Sequence, residues 1–496
     1  MDLVDRKDHA RTEEREDTGI LEGKTVSRRD FLKIAGIAGA TVGMGAGLGG
    51  LVAACGSTAT TTTGATTATT TATTGASTAT TAAPVDTTVT AAAETGREIK
   101  IGFPSPQTGD IATFGVPDEY CAGRWKEAVG DGLVCGDGMK HPVTFILRDT
   151  QSDSNRVATV AGDLLNSDKV DILIAASSPE TVCPAADQAE GSGTPGLFSD
   201  CPMESFWISR SKDPAKDTFK WTNNFFWSLN DQSTVYMDMW NKAPSNKIIG
   251  VMFPNDADGN GDRTVWPDML KQGGYKMIDG GSYQDGTEDY TSQVSMFKKA
   301  GCDLVAGDMI TPDFVNFWKQ CLQQGFRPKV ASIMKALLFP EAVEAAGTGA
   351  YGLTGDGWWT PTFPFKSSLT GETCQQIGDD FEAKNNRQWT QPIGHYVLGE
   401  WAIDVLKRTK NVDDKQSILD AVMATKMDTV MGPLDFTAPV KANTARAYLN
   451  GYNSPFVGGQ WVKGSGKWKF DFVVCDNVTA PEVTPVVPMQ PLVYTV

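Results

Sequence analysis

The chain has 496 residues, with 60 acidic against 44 basic side chains and a formal net charge of −16. That balance excludes the basic stripe a nucleic-acid partner would need and suits solubility. Three histidines (His9, His141, His395) are too few for a histidine-rich metal site, and none of the nine cysteines falls in a C-x-x-C pair, which disfavours metal clusters and thioredoxin-like redox chemistry.

Taken in chain order, residues 1–54 read as an export signal: a basic pair, a weakly apolar run and small residues before a break. Ser27-Arg28-Arg29-Asp30-Phe31-Leu32-Lys33 resembles the twin-arginine signal, with Arg28 and Arg29 as its pair. Val52-Ala53-Ala54-Cys55 resembles the lipobox of bacterial lipoproteins, in which the cysteine is lipidated and becomes the first mature residue. The competing reading is an arginine pair that happens to precede a plain anchor helix. Residues 55–95 are almost wholly Thr, Ala, Ser and Gly, too poor in apolar surface to offset the entropy of ordering. They read as a disordered linker, and a flexible chain of about 40 residues reaches roughly 35 Å. The leader therefore describes a tether: a folded part held near the outer face of the cytoplasmic membrane by a lipid anchor.

About 400 residues remain, enough for two domains. "EIKIGFPS" is a buried strand, "VPDEYCAGRWKEAVG" a helix, "PVTFILRD" a strand and "SNRVATVAGDLLNSD" a helix capped by Ser154 or Asn155. "VDILIAASSP" is a strand, "ETVCPAADQAEG" a short helix interrupted by Pro184, and "GLFSD" a strand. The alternation returns from "NKIIGVMFPND" through "CDLVAGDMITP" to "KVASIMK". Strands alternating with helices give βαβ units and parallel sheets, here two α/β lobes. Ser178 and Thr311 are placed as helix N-caps before Pro179 and Pro312. "PIGHYVLGEWAIDVLKRTK" and "DKQSILDAVMATK" are amphipathic helices, so His395 is read as a helix residue rather than a catalyst, and "GKWKFDFVVCDN" is a late strand. If these segments pack on both lobes, the chain crosses between them more than once and forms a hinge.

Ligands of open parallel sheets sit beyond the carboxyl ends of the strands, so the candidate site is the set of loops there. Ser177 and Ser178 place hydroxyls and free backbone N–H groups at a helix N-terminus, fit for a carboxylate or other anion, although Ser178 could simply cap its helix. Phe114, Thr181, Ser199, Asp200, Asp258 and Met309 lie on the same loop ends, and Trp358 and Trp359 either wall a pocket or pack in the core. Asp200, Asp308 and Asp356 are the carboxylates best placed to meet a ligand ammonium. "DADGNGD", Asp256 to Asp262, matches the start of a calcium loop, but the twelfth position is Pro267 instead of Glu, so a turn competes with it. An even number of cysteines beyond Cys55 in an exported chain suggests disulfides. The nearest neighbours in sequence are Cys121 with Cys135, Cys183 with Cys201 and Cys302 with Cys321, among the 105 connectivities eight cysteines allow. Cys374 and Cys475 complete the eight. No G-x-S-x-G, H-E-x-x-H or phosphate-binding G-x-x-x-x-G-K-[ST] is present, and nothing demands an enzyme or a cofactor.

"IKIGFPSPQTGDIATFG", "VTFILRDTQSDSNRVATVAGDLLNSDKVDILIAASSPETVCPAADQAEGSGTPGLFSD" and "DYTSQVSMFKKAGCDLVAGDMITPDFVNFWKQCLQQGF" resemble the branched-chain-amino-acid type of ABC-transporter substrate-binding protein, over about residues 97 to 475. The resemblance implies a type I periplasmic-binding-protein fold of two Rossmann-like lobes and a three-segment hinge. The expected division is 97–222 with 356–432 in one lobe and 223–355 with 433–496 in the other. It also implies a monomer that captures a small solute, an amino acid or related amide or carboxylate, and passes it to a permease and ATPase in the membrane. Alternatives are a sensory receptor of the same fold and, further off, an exported hydrolase. In the family the serine loop holds the ligand carboxylate, a role that falls on Ser177 and Ser178, with Ser199 and Asp200 at the next strand end. Asp258-Gly259 stands where the family has a Tyr before Gly, which points away from a leucine-like ligand and towards a larger or more polar one.

Overall fold

The computed structural model describes residues 93–213, 216–347 and 349–494. The twin-arginine pair, Cys55 and the linker up to residue 92 lie outside the described residues.

Strands β1 (Ile99–Ser105), β2 (Val143–Asp149), β3 (Ile172–Ala175), β4 (Gly196–Phe198) and β5 (Thr222–Phe225) form an all-parallel sheet in the order 2-1-3-4-5, with β1 at the turning point. Helices α1 (Asp118–Val129), α2 (Ser154–Asn166) and α3 (Ser178–Ser192) make the crossovers. Strands buried on both faces read as near-continuous apolar runs, as in the fully buried "ILIA" of β3.

After helix α4 (Leu229–Lys242), the same order repeats in β6 (Ile248–Pro254), β7 (Lys276–Tyr283), β8 (Leu304–Met309), β9 (Val330–Lys335) and β10 (Thr354–Gly357), ordered 7-6-8-9-10. Its crossover helices are α5 (Ala257–Gln272), α6 (Thr291–Ala300) and α7 (Thr311–Gln323). The chain then returns to the first lobe with α8 (Cys374–Asn385), α9 (Tyr396–Arg408) and α10 (Lys415–Met423). Strand β11 (Gly451–Tyr452) adds to the first sheet beside β5, and β12 (Val457–Lys463) and β13 (Phe470–Asp476) close the second sheet antiparallel.

Among the described residues the chain therefore crosses three times: after β5, after β10 and between β11 and β12. The last crossing corrects the sequence division. Residues 433–452 stay with the first lobe, because Gly451 pairs with Asn224 and the Asn224 N–H donates to the Asn450 carbonyl at 2.9 Å. Residues 223–225 likewise complete β5 in the first sheet, and 356–357 complete β10 in the second.

Three local expectations also change. Asp153 caps α2, accepting from the Arg156 N–H. The caps placed at Ser178 and Thr311 move back one residue, to Ser177 and Ile310. Pro184 does not interrupt its helix. A proline inside a helix frees the carbonyl four residues back; here that is Glu180, whose oxygen accepts from the Ser154 hydroxyl of α2 at 3.0 Å.

The expected disulfides are absent among the described residues: all eight cysteines are buried free thiols. Their sulfurs turn to backbone carbonyls, Cys121 to Ile393, Cys135 to Leu133, Cys183 to Ser205 and Cys201 to Pro202. Cys302 and Cys321 stand unbridged in the second lobe's core. Thiols this buried are inert until the fold opens. We expect a thiol-reactive dye to label none of these eight in the native protein and all eight in denaturant, with the melting temperature indifferent to reductant.

Candidate functional site

The carboxyl ends of both sheets face one another across a narrow cleft. Its cavity measures about 40 Å³, room for roughly three waters. Phe114 meets Phe339 across the cleft with ring centroids 5.0 Å apart, and Trp358 packs edge-on to Phe226 at 5.1 Å, so aromatic side chains close two of its sides.

The first lobe supplies the serine loop. Leaving β3, Ser177 (φ 77°, ψ 66°) and Ser178 (φ 69°) both take left-handed backbone conformations. Such conformations cost non-glycine residues about 1–3 kcal/mol each and cluster at functional sites. The Ser178 N–H is tied to the Asp200 carbonyl at 2.8 Å, yet both serine hydroxyls are buried with no hydrogen-bond partner. Buried polar groups without partners are rare; here two stand together at the start of α3.

Behind them runs a buried chain of polar groups. The Gln107 amide donates to the Ser105 hydroxyl, which donates to Asp118 at 2.5 Å. His395 Nδ1 lies 2.7 Å from Asp118, and its Nε2 lies 3.0 Å from Asp200. Burial alone would lower this imidazole, but Asp118 and Asp200 on either side raise it to about 9. It is an imidazolium at neutral pH, donating through both nitrogens, and it stacks on Trp358 with planes 15° apart. His395 sits in a 3-10 turn, Gln391–His395, just before α9.

The second lobe supplies charge. Lys335, at the end of β9, is 7% exposed. Its ammonium lies 2.9 Å from Asp256, 3.1 Å from Asp258 and 3.2 Å from Asp308, and 3.9 Å from Glu180 on the opposite lobe. Burial would lower this amine, but Asp256, Asp308, Glu180 and Asp258 hold it well above its usual value. Its backbone is strained, at φ 55° and ψ −70°. The same burial pushes the carboxyls of Asp258, Asp262 and Asp308 well up. Asp308 has no hydrogen-bond partner among the described residues, only the nearby ammonium. Asp356, at the end of β10, is raised to about 7 by burial and accepts from the Tyr236 hydroxyl at 2.7 Å.

Of the residues singled out from sequence, Phe114, Ser178, Asp200, Asp258 and Trp358 line the cavity, with Ser177 directly behind Ser178. Four do not line it. The Ser199 hydroxyl is spent on the Phe225 carbonyl at 2.7 Å. Thr181 is buried in the first turn of α3. Strand alternation puts Asp308 on the cavity and Met309 in the second lobe's core. Trp359 turns the other way from Trp358 and packs in the core against Trp389. The segment from Asp256 to Asp262 is no calcium loop: Asp256 caps α5 through the Gly259 N–H, and its other oxygen is taken by Lys335. Sequence reasoning missed Lys335, Asp262 and Gln232 as lining residues. For Lys335 the signal was a charged residue ending the apolar run "KVASIM".

Two sheets whose parallel strands share one order, joined by three crossings over an interlobe cavity, define a type I periplasmic-binding-protein fold. The chain matches the Periplasmic binding protein family over residues 98–454 and belongs to that family. The branched-chain amino acid transporter substrate-binding protein LivJ from Streptococcus pneumoniae, in complex with isoleucine, superposes with a TM-score of 0.60 at 15% identity, covering 76% of this chain and 99% of that one. A solute-binding protein of an ABC transporter from Rhodopseudomonas palustris, in complex with 3,4-dihydroxybenzoic acid, gives 0.58 at 16% identity, covering 78% and 99%. The Leu/Ile/Val-binding protein homolog 7 of Brucella suis biovar 1 (strain 1330) is 23% identical over 252 residues, 49% of this chain. The chain spans 60% of the length of that curated relative. These homologues are binding proteins, not enzymes. Among the described residues no helix is long and apolar enough to cross a membrane.

Proposed function

We propose that this chain is a lipid-anchored, monomeric receptor that captures a small polar solute between its lobes and delivers it to an ABC importer. The observation that carries the reading is the pair of buried, unpartnered hydroxyls of Ser177 and Ser178 at the N-terminal end of α3, where Ser178 lines the interlobe cavity and Ser177 stands directly behind it. They await a hydrogen-bonding ligand, such as the carboxylate of an amino acid or a related amide. The solute docks on the first lobe, and the second closes through the three crossings and excludes water. Contacts made only in the closed form bias the equilibrium towards it, and the closed shape is what a permease reads. Ser178, Asp200 and Trp358 meet the solute from the first lobe and hinge; Asp258 and Lys335 meet it from the second.

Family membership supports an extracytoplasmic site of action, and the leader's Arg28-Arg29 and Cys55 support twin-arginine export followed by lipidation on the outer face of the cytoplasmic membrane. Eight buried free thiols are what a chain folded in a reducing compartment before export would carry. The test is the double variant Ser177→Ala/Ser178→Ala. Its binding of the solute that stabilises the parent protein should be lost by calorimetry, with an unchanged circular dichroism spectrum. An affinity equal to the parent's removes the serine loop from the site. Scattering profiles that superimpose with and without that solute would remove closure.

A further inference from the structure

The cavity is unbalanced in charge. Five aspartates line it: Asp200, Asp258, Asp262, Asp308 and Asp356. His395 is already matched, standing between Asp118 and Asp200. That leaves Lys335 facing Asp256, Asp258, Asp308 and Glu180, with Asp262 and Asp356 at the same cavity. One ammonium cannot neutralise so many carboxylates in a site largely withdrawn from water, and burying unpaired charge is expensive. Without a solute, the deficit is met by protons.

Resting on the reading above, we infer that the solute is a net organic cation, carrying at least one ammonium or guanidinium group more than it has carboxylates, and that the second lobe's aspartates select for that charge. Three features of this cluster support the inference. The Asp308 carboxylate is fully buried and receives no hydrogen bond, and the ammonium beside it, that of Lys335 at 3.2 Å, is shared with three other carboxylates. The Lys335 backbone holds a strained conformation that delivers its ammonium to the carboxylates, so the fold already places one cation there at a cost. Asp258, in the first turn of α5, lines the cavity and adds a further carboxylate 3.1 Å from the one ammonium that Asp256 and Asp308 already share. The unpartnered serine hydroxyls remain free for a hydrogen-bonding group at the solute's other end.

Cation binding would expel the protons these carboxyls hold. The groups facing them are Glu180 on α3, Asp256, Asp258 and Asp262 on α5, Asp285 after β7, Asp308 on β8, Lys335 on β9 and Asp356 on β10, the last bonded to Tyr236 on α4. Burial raises Asp258, Asp262 and Asp308 in the solute-free fold, so affinity for a cation rises as pH rises through their titration.

The test is calorimetry and thermal shift of the mature protein with arginine, lysine, 1,4-diaminobutane and guanidinium, against leucine and butyramide and the anion benzoate. At least one cation should bind with proton release and be tighter at pH 8 than at pH 6, by up to about tenfold per pH unit for each proton released. Asp258→Asn should weaken that cation about tenfold while raising the melting temperature of the solute-free protein, an opposite pair of signs that a merely structural aspartate would not give. Binding by none of the cations overturns the inference, as does tighter binding of leucine, butyramide or benzoate, or a cation affinity flat in pH. A neutral or anionic solute that binds and closes the lobes would overturn the charge selection and leave the solute-binding reading standing.

Discussion

Lys335→Met is expected to destabilise the folded protein by about 3–5 kcal/mol at pH 8, the range for removing one partner of a buried ion pair. The substitution keeps an unbranched apolar stem, one atom shorter, and removes the ammonium that faces Asp256, Asp258, Asp308 and Glu180. The carboxylates left behind must then take up protons or repel. The sign with pH follows. Burial raises Asp258 and Asp308 in the fold, so the native state holds more protons than the unfolded chain, and stability falls as pH rises through those native values. Without Lys335 they rise further. Urea denaturation at pH 5 and pH 8 should therefore show a deficit that is small in acid and large in base. Equal deficits at both values would mean that Lys335 acts by packing alone. Lys335→Gly separates strain from charge: it relaxes the φ of 55° but loses the same ammonium, and should fall with Met.

The two sheets were legible because their signals are local. Apolar runs such as "ILIA" and "KIIGVMF" can only be buried strands when amphipathic stretches separate them, and the regular alternation leaves parallel sheets as the solution. The return of residues 433–452 to the first lobe was not legible. It rests on the two-residue strand Gly451–Tyr452, too short to carry a pattern, and on a backbone bond to a residue more than two hundred positions away. In the site, the serine loop was visible because a helix start after a buried strand is a sequence feature. Which of two adjacent residues faces the cavity was not. Met309 and Trp359 were chosen alongside Asp308 and Trp358, and only the latter two face inward, since choosing between neighbours requires the register of the whole sheet. Lys335 was passed over for a related reason: a lysine ending a strand looks solvated until three carboxylates of its own lobe and one of the other are folded around it.

His395 gives the second large effect, and its pH dependence runs through a different range. The imidazole is fully buried between Asp118 at 2.7 Å and Asp200 at 3.0 Å. Burial opposes its charge, but the two carboxylates outweigh burial and raise it from 6.5 to about 9. A folded value above the unfolded one means that the native state keeps its proton longer. The stabilisation is complete below about pH 6.5, the unfolded value, and is lost as pH rises to about 9. At about 1.36 kcal/mol per pH unit, the charge contributes roughly 3 kcal/mol. His395→Gln retains a donor but no charge, and leaves Asp118 and Asp200 facing one another across a neutral group. The variant should be less stable than the parent by about 3 kcal/mol at pH 6, and the gap should narrow towards pH 9.5 as the parent loses its own imidazolium. Because Asp200 also lines the cavity and its carbonyl holds the Ser178 N–H, the same variant should loosen the serine loop and weaken solute binding. A proton-resolved titration of the parent that places His395 below 7 would contradict both expectations, because the two buried aspartates would then be held by something other than an imidazolium.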